Sequence, residues 1–499
     1  MKILTSSQIR EVDSYTIKHE PINSIELMER ASKGFIKVFT NLIDTPAKIK
    51  VFCGPGNNGG DGLAIARILI SLGYEIEVFQ VKVSQKTSPD FAINFERLNR
   101  WIQIQTITQA SDLPDFLHGD ILIDAIFGSG LSRPAEGLFA EVIHKMNSSG
   151  NSIFAVDIAS GLFSDKPVSD QIIVKPKFTI SFQIPKLAFF CSQNAPYVGK
   201  WFLADIGLHP EGLLQQETAN FYTELPDIRK IIKKRDVFSH KGSFGSAMLI
   251  AGSYGKMGAA LLGGKACLRS GVGLLTIHVP ECGYQIIQTT IPEAMTSVDI
   301  SLRCFSEVPD ISKFSVIGLG PGLGTNQKTI DAMREMLQRI ETPVVIDADG
   351  INILAKQREM LKMLPSGSII TPHPKEFERV AGKFSNDFEK FELQKSFSKQ
   401  YNLVVVLKGA FTSISDTKGN LFFNSTGNPG MATGGSGDML TGIITGLVAQ
   451  KYNPVEAAII GVFLHGLAGD IAAENYGEES LLPGDMIEMM GKAFISINS

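Results

Sequence analysis

Short apolar segments that alternate with helical stretches are the feature that most limits how this chain folds. Residues 49–53, 121–125 and 344–347 are too short and too rich in β-branched side chains to be helices. Apolar strands separated by helices predict a parallel sheet covered by helices on both faces. We therefore predict an α/β fold built in three layers.

The length of 499 residues predicts at least two such domains, because single cores stop growing at roughly 250–300 residues. Residues 211–236 contain a Pro226-Asp227 pair and a basic run, and read as a linker. We place the boundary near residue 225, between domains 1–225 and 226–499, because the 48 glycines are enriched and clustered after it. The patterns predict helices at 6–18, 23–40, 63–72, 437–449 and 454–474, the last two closing the second domain.

Composition excludes several classes of protein. The net charge is −4 and neither half is strongly basic, so the chain lacks the positive charge that attracts a protein to the phosphate backbone of nucleic acid. Five cysteines without a CxxC pair argue against a disulfide framework or a thiolate zinc site, so we expect a reducing cytoplasm. The N-terminus lacks the apolar segment of a signal peptide, and His465 and Asp470 interrupt the most apolar stretch, 457–473, so we expect no membrane span.

Residues 53–62, CGPGNNGGDG, join a predicted strand to a predicted helix. Residues 54–59 match GxGxxG, in which glycines allow close backbone approach and the helix N-terminus attracts anions. The next strand ends in Gln80, so the acid that usually binds ribose is missing. A tight turn without ligand is one alternative, but Asn57, Asn58 and Asp61 favour a binding site.

Two further strand ends carry an acid before a glycine loop, namely Asp124 and Asp157. Ligands bind beyond the carboxyl ends of parallel strands, so these ends are expected to meet at one crevice. Oxygen ligands such as those of Asn58, Asp124 and Ser160 suit a hard cation rather than zinc. The alternative is that each aspartate only caps a helix.

The most specific motif is NPGMATGGSGD, residues 428–438, ahead of a long helix. Its glycines leave backbone N–H groups free to stabilise a transferring phosphoryl group, and Asp438 is placed to take a proton from a hydroxyl. The alternative is that Asp438 is only a helix-start acid. Three further features support a site here: His373 between two prolines, Lys408 at a strand end, and the glycine-rich residues 320–324. Asp347 or Asp349 is a possible helix cap. The sequence contains no P-loop motif.

These motifs, with DAIFGSG, VDIASG, SFQIPK, TPHPKEF and LKGA, resemble NAD(P)H-hydrate epimerase fused to ADP-dependent NAD(P)H-hydrate dehydratase over nearly the whole chain. The resemblance implies a Rossmann-like epimerase domain and a ribokinase-like dehydratase domain. The family interconverts the R and S hydrates of NADH and NADPH. It then removes water from the S form at the expense of ADP, releasing AMP and phosphate.

The resemblance also implies the site residues. The epimerase substrate would bind Asn57, Asn58, Gly59, Gly60, Asp61, Gly128, Ser129, Gly130, Leu131, Ser132, Arg133, Pro134 and Asp157, with Asp157 handling protons and K⁺ held by Asn58, Asp124 and Ser160. The dehydratase substrate would bind Ala259, Gly322, His373 and the catalytic Asp438, and ADP with Mg²⁺ would bind Lys408, Gly409, Ala410, Phe411, Thr412 and Gly437.

Two residues depart from the family pattern. Ala159 stands where proline is usual, which is expected to loosen the loop that carries Ser160. Phe163 stands where aspartate is usual, which removes an acid near that loop. Two other functions stay open: a small-molecule kinase for vitamin precursors, and a non-catalytic first domain that only assembles the dehydratase. We expect small-molecule partners, namely NADHX, NADPHX and ADP, and a homo-oligomer.

Overall fold

The computed structural model describes residues 1–43 and 47–499. The described chain divides into two compact units. One contains Lys2–Thr218 and Asn386–Phe388; the other contains Met1, Ala219–Ser385 and Glu389–Ser499.

The described strands of the first unit form one parallel sheet in the order β3-β2-β1-β4-β5-β6-β7. They are β1 Ile49–Cys53, β2 Ile76–Val81, β3 Gln105–Ile107, β4 Ile121–Ala125, β5 Ser152–Val156, β6 Phe178–Phe182 and β7 Lys200–Ala204. The order of the first six strands is that of doubly wound dinucleotide-binding folds. In these folds the chain adds strands first on one side of β1 and then, from β4 onwards, on the other side. A crevice at the carboxyl ends of these two strands follows from that topology.

The helices of this unit are α1 Ser6–His19, α2 Ser24–Phe39, α3 Asn57–Ser71, α4 Pro89–Asn99, α5 Leu138–Ser148, α6 Ala195–Val198 and α7 Pro210–Gln215. Phe39 of α2 packs edge-on against Phe154 of β5, with ring centroids 4.7 Å apart, in the core on one face of the sheet. The prediction for α3 was too short, because the helix begins at Asn57 and not at Leu63. The glycines among residues 57–62 lower helix propensity, so the sequence pattern did not predict this part of the helix.

The second unit contains a ten-stranded sheet in the order β11-β10-β9-β12-β13-β14-β15-β16-β17-β8. Its strands are β8 Asn220–Thr223, β9 Ser246–Ile250, β10 Leu274–Val279, β11 Met295–Val298, β12 Val316–Leu319, β13 Val344–Ile346, β14 Ile369–Ile370, β15 Val404–Leu407, β16 Ser413–Ser415 and β17 Leu421–Asn424. The pairs of β15 with β16 and of β16 with β17 are antiparallel, and the other pairs are parallel. Strands β15 and β16 therefore form a β-hairpin, and Lys408 directly follows its first strand.

The helices of the second unit are α8 Leu225–Ile231, α9 Met257–Arg269, α10 Tyr284–Thr290, α11 Gln327–Arg339, α12 Ala348–Lys356, α13 Pro374–Ala381, α14 Asp387–Tyr401, α15 Ser436–Ala449, α16 Pro454–Tyr476 and α17 Pro483–Asn498. Residues 211–236, predicted as a linker, contain β8 and α8 because Phe221 stacks on Phe422 within the second sheet. A third long helix, α17, follows the two that were expected to close the domain.

Helix α15 is held in the core by a close contact with α9. A Cβ atom on Gly442 would lie 2.0 Å from the carbonyl oxygen of Gly263, so only glycine permits this approach. Helix α16 contributes side chains to the same core. In the described part of the chain, α16 is the one helix long and apolar enough to cross a membrane, and 67% of its most apolar window is buried inside the protein.

Candidate functional site

A cavity of about 500 Å³ opens at the carboxyl ends of β1 and β4, where the strand order reverses. Among the predicted substrate residues, its lining includes Asn57, Asn58, Asp61, Gly128, Ser129, Gly130, Leu131, Ser132, Arg133 and Asp157. Gly59, Gly60 and Pro134 do not line it. Residues from α3, the loop after β4 and the end of β5 thus come together as the sequence predicts.

The glycines of the GxGxxG segment have different structural roles. A Cβ on Gly54 would lie 2.0 Å from the carbonyl oxygen of Ile126, and one on Gly59 would lie 1.8 Å from that of Gly54. A Cβ on Gly56 would meet nothing within 4 Å. Gly54 and Gly59 therefore allow the chain to pack on itself, whereas Gly56 leaves open space at the start of α3.

A buried group of oxygen atoms lies beside the cavity. Asp124 and Ser160 are fully buried, and the Ser160 N–H and hydroxyl donate to the Asp124 carboxylate at 2.7 Å and 2.6 Å. Burial raises the pKa of Asp124 to about 6, although these hydrogen bonds oppose the shift. The Nδ2 atom of Asn58 is buried without a hydrogen-bond partner among the described residues.

Asp157 is fixed in a conformation that few non-glycine residues adopt, with φ = 67°. Its carboxylate is paired with the ammonium group of Lys186, which is 1% exposed and also donates to the Ser181 hydroxyl at 2.7 Å. The Phe182 N–H donates to the same Asp157 oxygen at 3.1 Å. The SFQIPK segment that contains Lys186 thus orients Asp157, a role that sequence reasoning missed.

Two further carboxyl groups face the same cavity. Asp13 projects from α1 and Asp61 from α3, and neither carboxyl forms a hydrogen bond with the described residues. Burial, with the negative charge of Asp157, raises the pKa of Asp13 to about 6 and raises that of Asp61 well above its usual value. Sequence analysis did not select Asp13, because nothing in the amphipathic α1 distinguishes it from a surface acid.

A second group of polar side chains lies at the ends of β13 and β15. Lys408 Nζ lies 2.8 Å from Oδ1 of Asp347, and the Thr441 hydroxyl donates to Oδ2 of the same carboxylate at 2.8 Å. Asp347 stands at the N-cap position of α12, yet its side chain forms no capping hydrogen bond. The carboxylate is 1% exposed and orients Lys408 instead of capping the helix.

The first turn of α15 carries the acid predicted to be catalytic. The helix begins after Gly435, whose φ of 96° favours glycine, and a Cβ on Gly437 would lie 3.2 Å from Lys408 Nζ. Asp438 forms no side-chain hydrogen bond with the described residues. Burial first, then the charge of Asp347, raises its pKa to about 6.

A cavity of about 840 Å³ adjoins this helix start. Its lining includes His373, Lys408, Gly409, Ala410, Phe411, Thr412 and Gly437, all predicted, together with Ser436 and His465. His465 Nε2 lies 3.1 Å from the Ser436 hydroxyl, and burial lowers the pKa of this imidazole to about 4, so it is neutral at pH 7. Sequence reasoning treated His465 only as an interruption of an apolar stretch.

Ala259, Gly322 and Asp438 do not line that cavity. A Cβ on Gly322 would lie 3.1 Å from the Cβ of Ala259, and one on Gly263, a turn later on α9, would lie 3.3 Å from the carbonyl oxygen of Asp438. The imidazole Nδ1 of His373 accepts hydrogen bonds from the N–H groups of Lys375 and Glu376, which fixes the ring at the start of α13.

Comparison with known protein families identifies both halves of the chain. The family described as NAD(P)H-hydrate dehydratase matches residues 247–492, and the family described as YjeF-related protein N-terminus matches residues 24–188. The first match contains the α15 site and the second contains most of the residues around the first cavity.

Whole-length relatives carry both parts in one chain. The bifunctional NAD(P)H-hydrate repair enzyme Nnr of Moorella thermoacetica is 32% identical over 98% of this chain and 96% of its own length. The enzyme of the same name from Thermofilum pendens is 33% identical over 99% and 96%. The Bacillus subtilis ADP/ATP-dependent NAD(P)H-hydrate dehydratase, co-crystallised with ATP and Mg²⁺, is 29% identical, with a TM-score of 0.49 over 56% of this chain and 98% of its own. The chain therefore belongs to the family of bifunctional NAD(P)H-hydrate repair enzymes.

Proposed function

We propose that this chain repairs hydrated NADH and NADPH in two reactions. The first unit interconverts the R and S hydrates, and the second removes water from the S hydrate while converting ADP to AMP and phosphate. The observation that carries the second reaction is the unpartnered carboxylate of Asp438 at the glycine-rich start of α15, beside Lys408. Full-length relatives named as bifunctional repair enzymes support both reactions over the vitamin-precursor kinase.

The dehydratase chemistry addresses a poor leaving group, because hydroxide does not depart readily near neutral pH. Asp438 takes the proton of the hydrate's hydroxyl, whose oxygen then attacks the terminal phosphorus of ADP, and the bond between that phosphorus and AMP breaks. The N–H groups of Gly434, Gly435 and Gly437 stabilise the charge on the transferring phosphoryl group. The ring nitrogen then expels phosphate as the C–O bond breaks, and the C=C bond of the dihydropyridine is restored as a ring proton is lost to water.

ADP is proposed to occupy the cavity lined by Lys408 through Thr412 and Gly437, and the hydrate to contact Ala259, Gly322, His373 and Asp438. The described residues contain no group of three His, Cys, Asp or Glu side chains able to hold a metal. Asp347 is already engaged by Lys408 and Thr441. With so few protein ligands available among the described residues, the site fits Mg²⁺ that is bound by the phosphates of ADP and by water. There the ion would neutralise phosphate charge.

In the first unit, we assign proton transfer to Asp157, and substrate contacts to the predicted residues that line its cavity. Gly59, Gly60 and Pro134 are assigned backbone support, since they do not line it. Asn58, Asp124 and Ser160 fit a potassium ion. The buried Asn58 amide has an unsatisfied nitrogen, and reversing that amide presents its oxygen instead. Bound K⁺ would neutralise the Asp124 carboxylate and hold the surrounding loops.

The test is product analysis with the full-length protein. Pure S hydrate with ADP should yield AMP and phosphate in equal amounts with recovery of NADH absorbance, and pure R hydrate without ADP should yield S hydrate. A stable phosphorylated product would instead favour the kinase. An unchanged R hydrate, with the protein folded, would favour a non-catalytic first domain.

Two wider inferences accompany this function. A cytoplasmic location agrees with five cysteines that form no disulfide among the described residues, which suits a reducing compartment, and with a substrate derived from NADH and NADPH. A homo-oligomer is proposed as well, and light scattering at several protein concentrations tests it.

A further inference from the structure

The cavity of the first unit contains more carboxyl groups than one proton-transfer residue requires. Asp157 is paired with Lys186 and accepts a backbone N–H, so the protein itself already engages this side chain. Asp13, on α1, lines the same cavity and has no hydrogen-bond or ion-pair partner in the described part of the chain. A carboxyl group that stabilises nothing in the protein is available to a substrate.

We propose that Asp13 is the second proton-transfer residue of the epimerase, acting together with Asp157. The inference rests on the proposed epimerase function. Two carboxyl groups in different environments can supply one acid and one base to the same reaction. Epimerisation at a carbon bearing a hydroxyl group needs both, because one water must leave and another must add to the opposite face.

In this epimerisation, water leaves one face of a ring carbon and another water adds to the opposite face. Asp13 gives its proton to the hydroxyl on the hydrated ring carbon, the C–O bond breaks, water leaves, and the ring nitrogen forms a C=N bond. A water then adds to the other face of that carbon and loses a proton to Asp157, while the C=N electron pair returns to nitrogen. Exchange with solvent water restores the proton on Asp13 and removes it from Asp157.

The electrostatic surroundings support this division of roles. Burial and the negative charge of Asp157 raise the pKa of Asp13 to about 6, while the positive charge of Lys186 opposes the shift. Other charged groups around the cavity are Asp61, which is 9% exposed, and Arg10 and Arg133 in the lining. A group with this pKa retains its proton at higher pH than an ordinary aspartate does.

The experiment compares Asp13→Asn with Glu11→Gln, an exposed acid on the same helix that does not line the cavity. Conversion of pure R hydrate is followed in the full-length protein against pH, with the spontaneous rate subtracted, and circular dichroism reports folding. Asp13→Asn should lower kcat by about 10²–10⁴-fold, and Glu11→Gln should leave it within about twofold. Wild-type kcat/KM should fall as the pH rises through about 6, because Asp13 must be protonated.

Asp13→Glu keeps a carboxyl group and should retain both measurable activity and the fall at higher pH. A fully active Asp13→Asn overturns the proposal while leaving the epimerase function intact, and so does a slow Asp13→Asn that keeps the wild-type pH profile. A wild-type protein that cannot convert R hydrate overturns the epimerase function itself.

Discussion

The side-chain nitrogen of Lys408, at the end of β15, lies 2.8 Å from Oδ1 of Asp347, which follows β13. This contact holds the cation beside the start of α15, where Gly437 leaves room for it. A fully buried carboxylate thus determines where a candidate phosphate-binding group points. The position of Lys408 is a property of the assembled sheet rather than of its local sequence.

Lys408→Met should weaken nucleotide binding and destabilise the protein. We expect KM for ADP to rise by about tenfold or more, since a charge-assisted contact is worth about 1.5–3 kcal/mol. The melting temperature should also fall, because Asp347 would remain buried without its cation. Lys418→Met, in the exposed turn of the neighbouring hairpin, is the control and should change neither quantity. An unchanged KM for ADP in Lys408→Met would place the nucleotide elsewhere.

Asp438→Asn should abolish dehydration and preserve epimerisation. Loss of a general base costs about 10²–10⁴-fold in rate, and Asp157 belongs to the other unit. The matched control is Glu456→Gln, another acid in the first turn of a helix. If Asp438 served only the helix dipole, both variants would lose a few tenths of a kcal/mol of stability and keep their activity.

Dehydration should depend on pH with a definite sign. As the proposed base of dehydration, Asp438 must be ionised, and its pKa is raised to about 6. We expect kcat/KM for the S hydrate to fall as the pH is lowered through about 6 and to level off above it. This direction is opposite to the one expected for Asp13 in the epimerase. A rate that rises on acidification would contradict the assigned role.

Gly59→Ala should destabilise the fold around the first cavity, whereas Gly56→Ala should leave its stability unchanged. The added Cβ would lie 1.8 Å from a backbone oxygen at position 59 and would meet nothing within 4 Å at position 56. Overpacking against backbone costs about 1–3 kcal/mol or more. Thermal unfolding of the full-length variants measures the difference, and equal melting temperatures would refute the assigned packing role.

Epimerisation should depend on potassium through Ser160. Replacing KCl by choline chloride at constant ionic strength should lower the wild-type rate. Ser160→Ala should require more K⁺ for half-maximal activity, because one oxygen ligand is lost. Dehydration in the same samples serves as the control for salt effects. A wild-type epimerisation rate that is identical in both salts would contradict the proposed potassium site.

Much of the architecture could be predicted from the sequence, because apolar strands and glycine-rich connections are local patterns. Residues Ile49–Cys53 and Ile121–Ala125 form the predicted strands, and the helix beginning at Ser436 was misplaced by one residue. The start of α3 was missed, since Gly59 and Gly60 lower helix propensity while close packing against Gly54 and Met28 overrides it. Local propensity could not reveal that packing.

The sequence by itself determined two α/β units, the strand ends that carry the candidate sites, and the acids and glycines of both candidate sites. Only the tertiary structure decided what each side chain faces: Lys186 pairs with Asp157, Asp347 binds Lys408 rather than capping a helix, and Asp13 faces a cavity. The reason is physical. A side chain's neighbours in a parallel sheet come from distant parts of the chain, so its charge state and contacts depend on packing that no local pattern records.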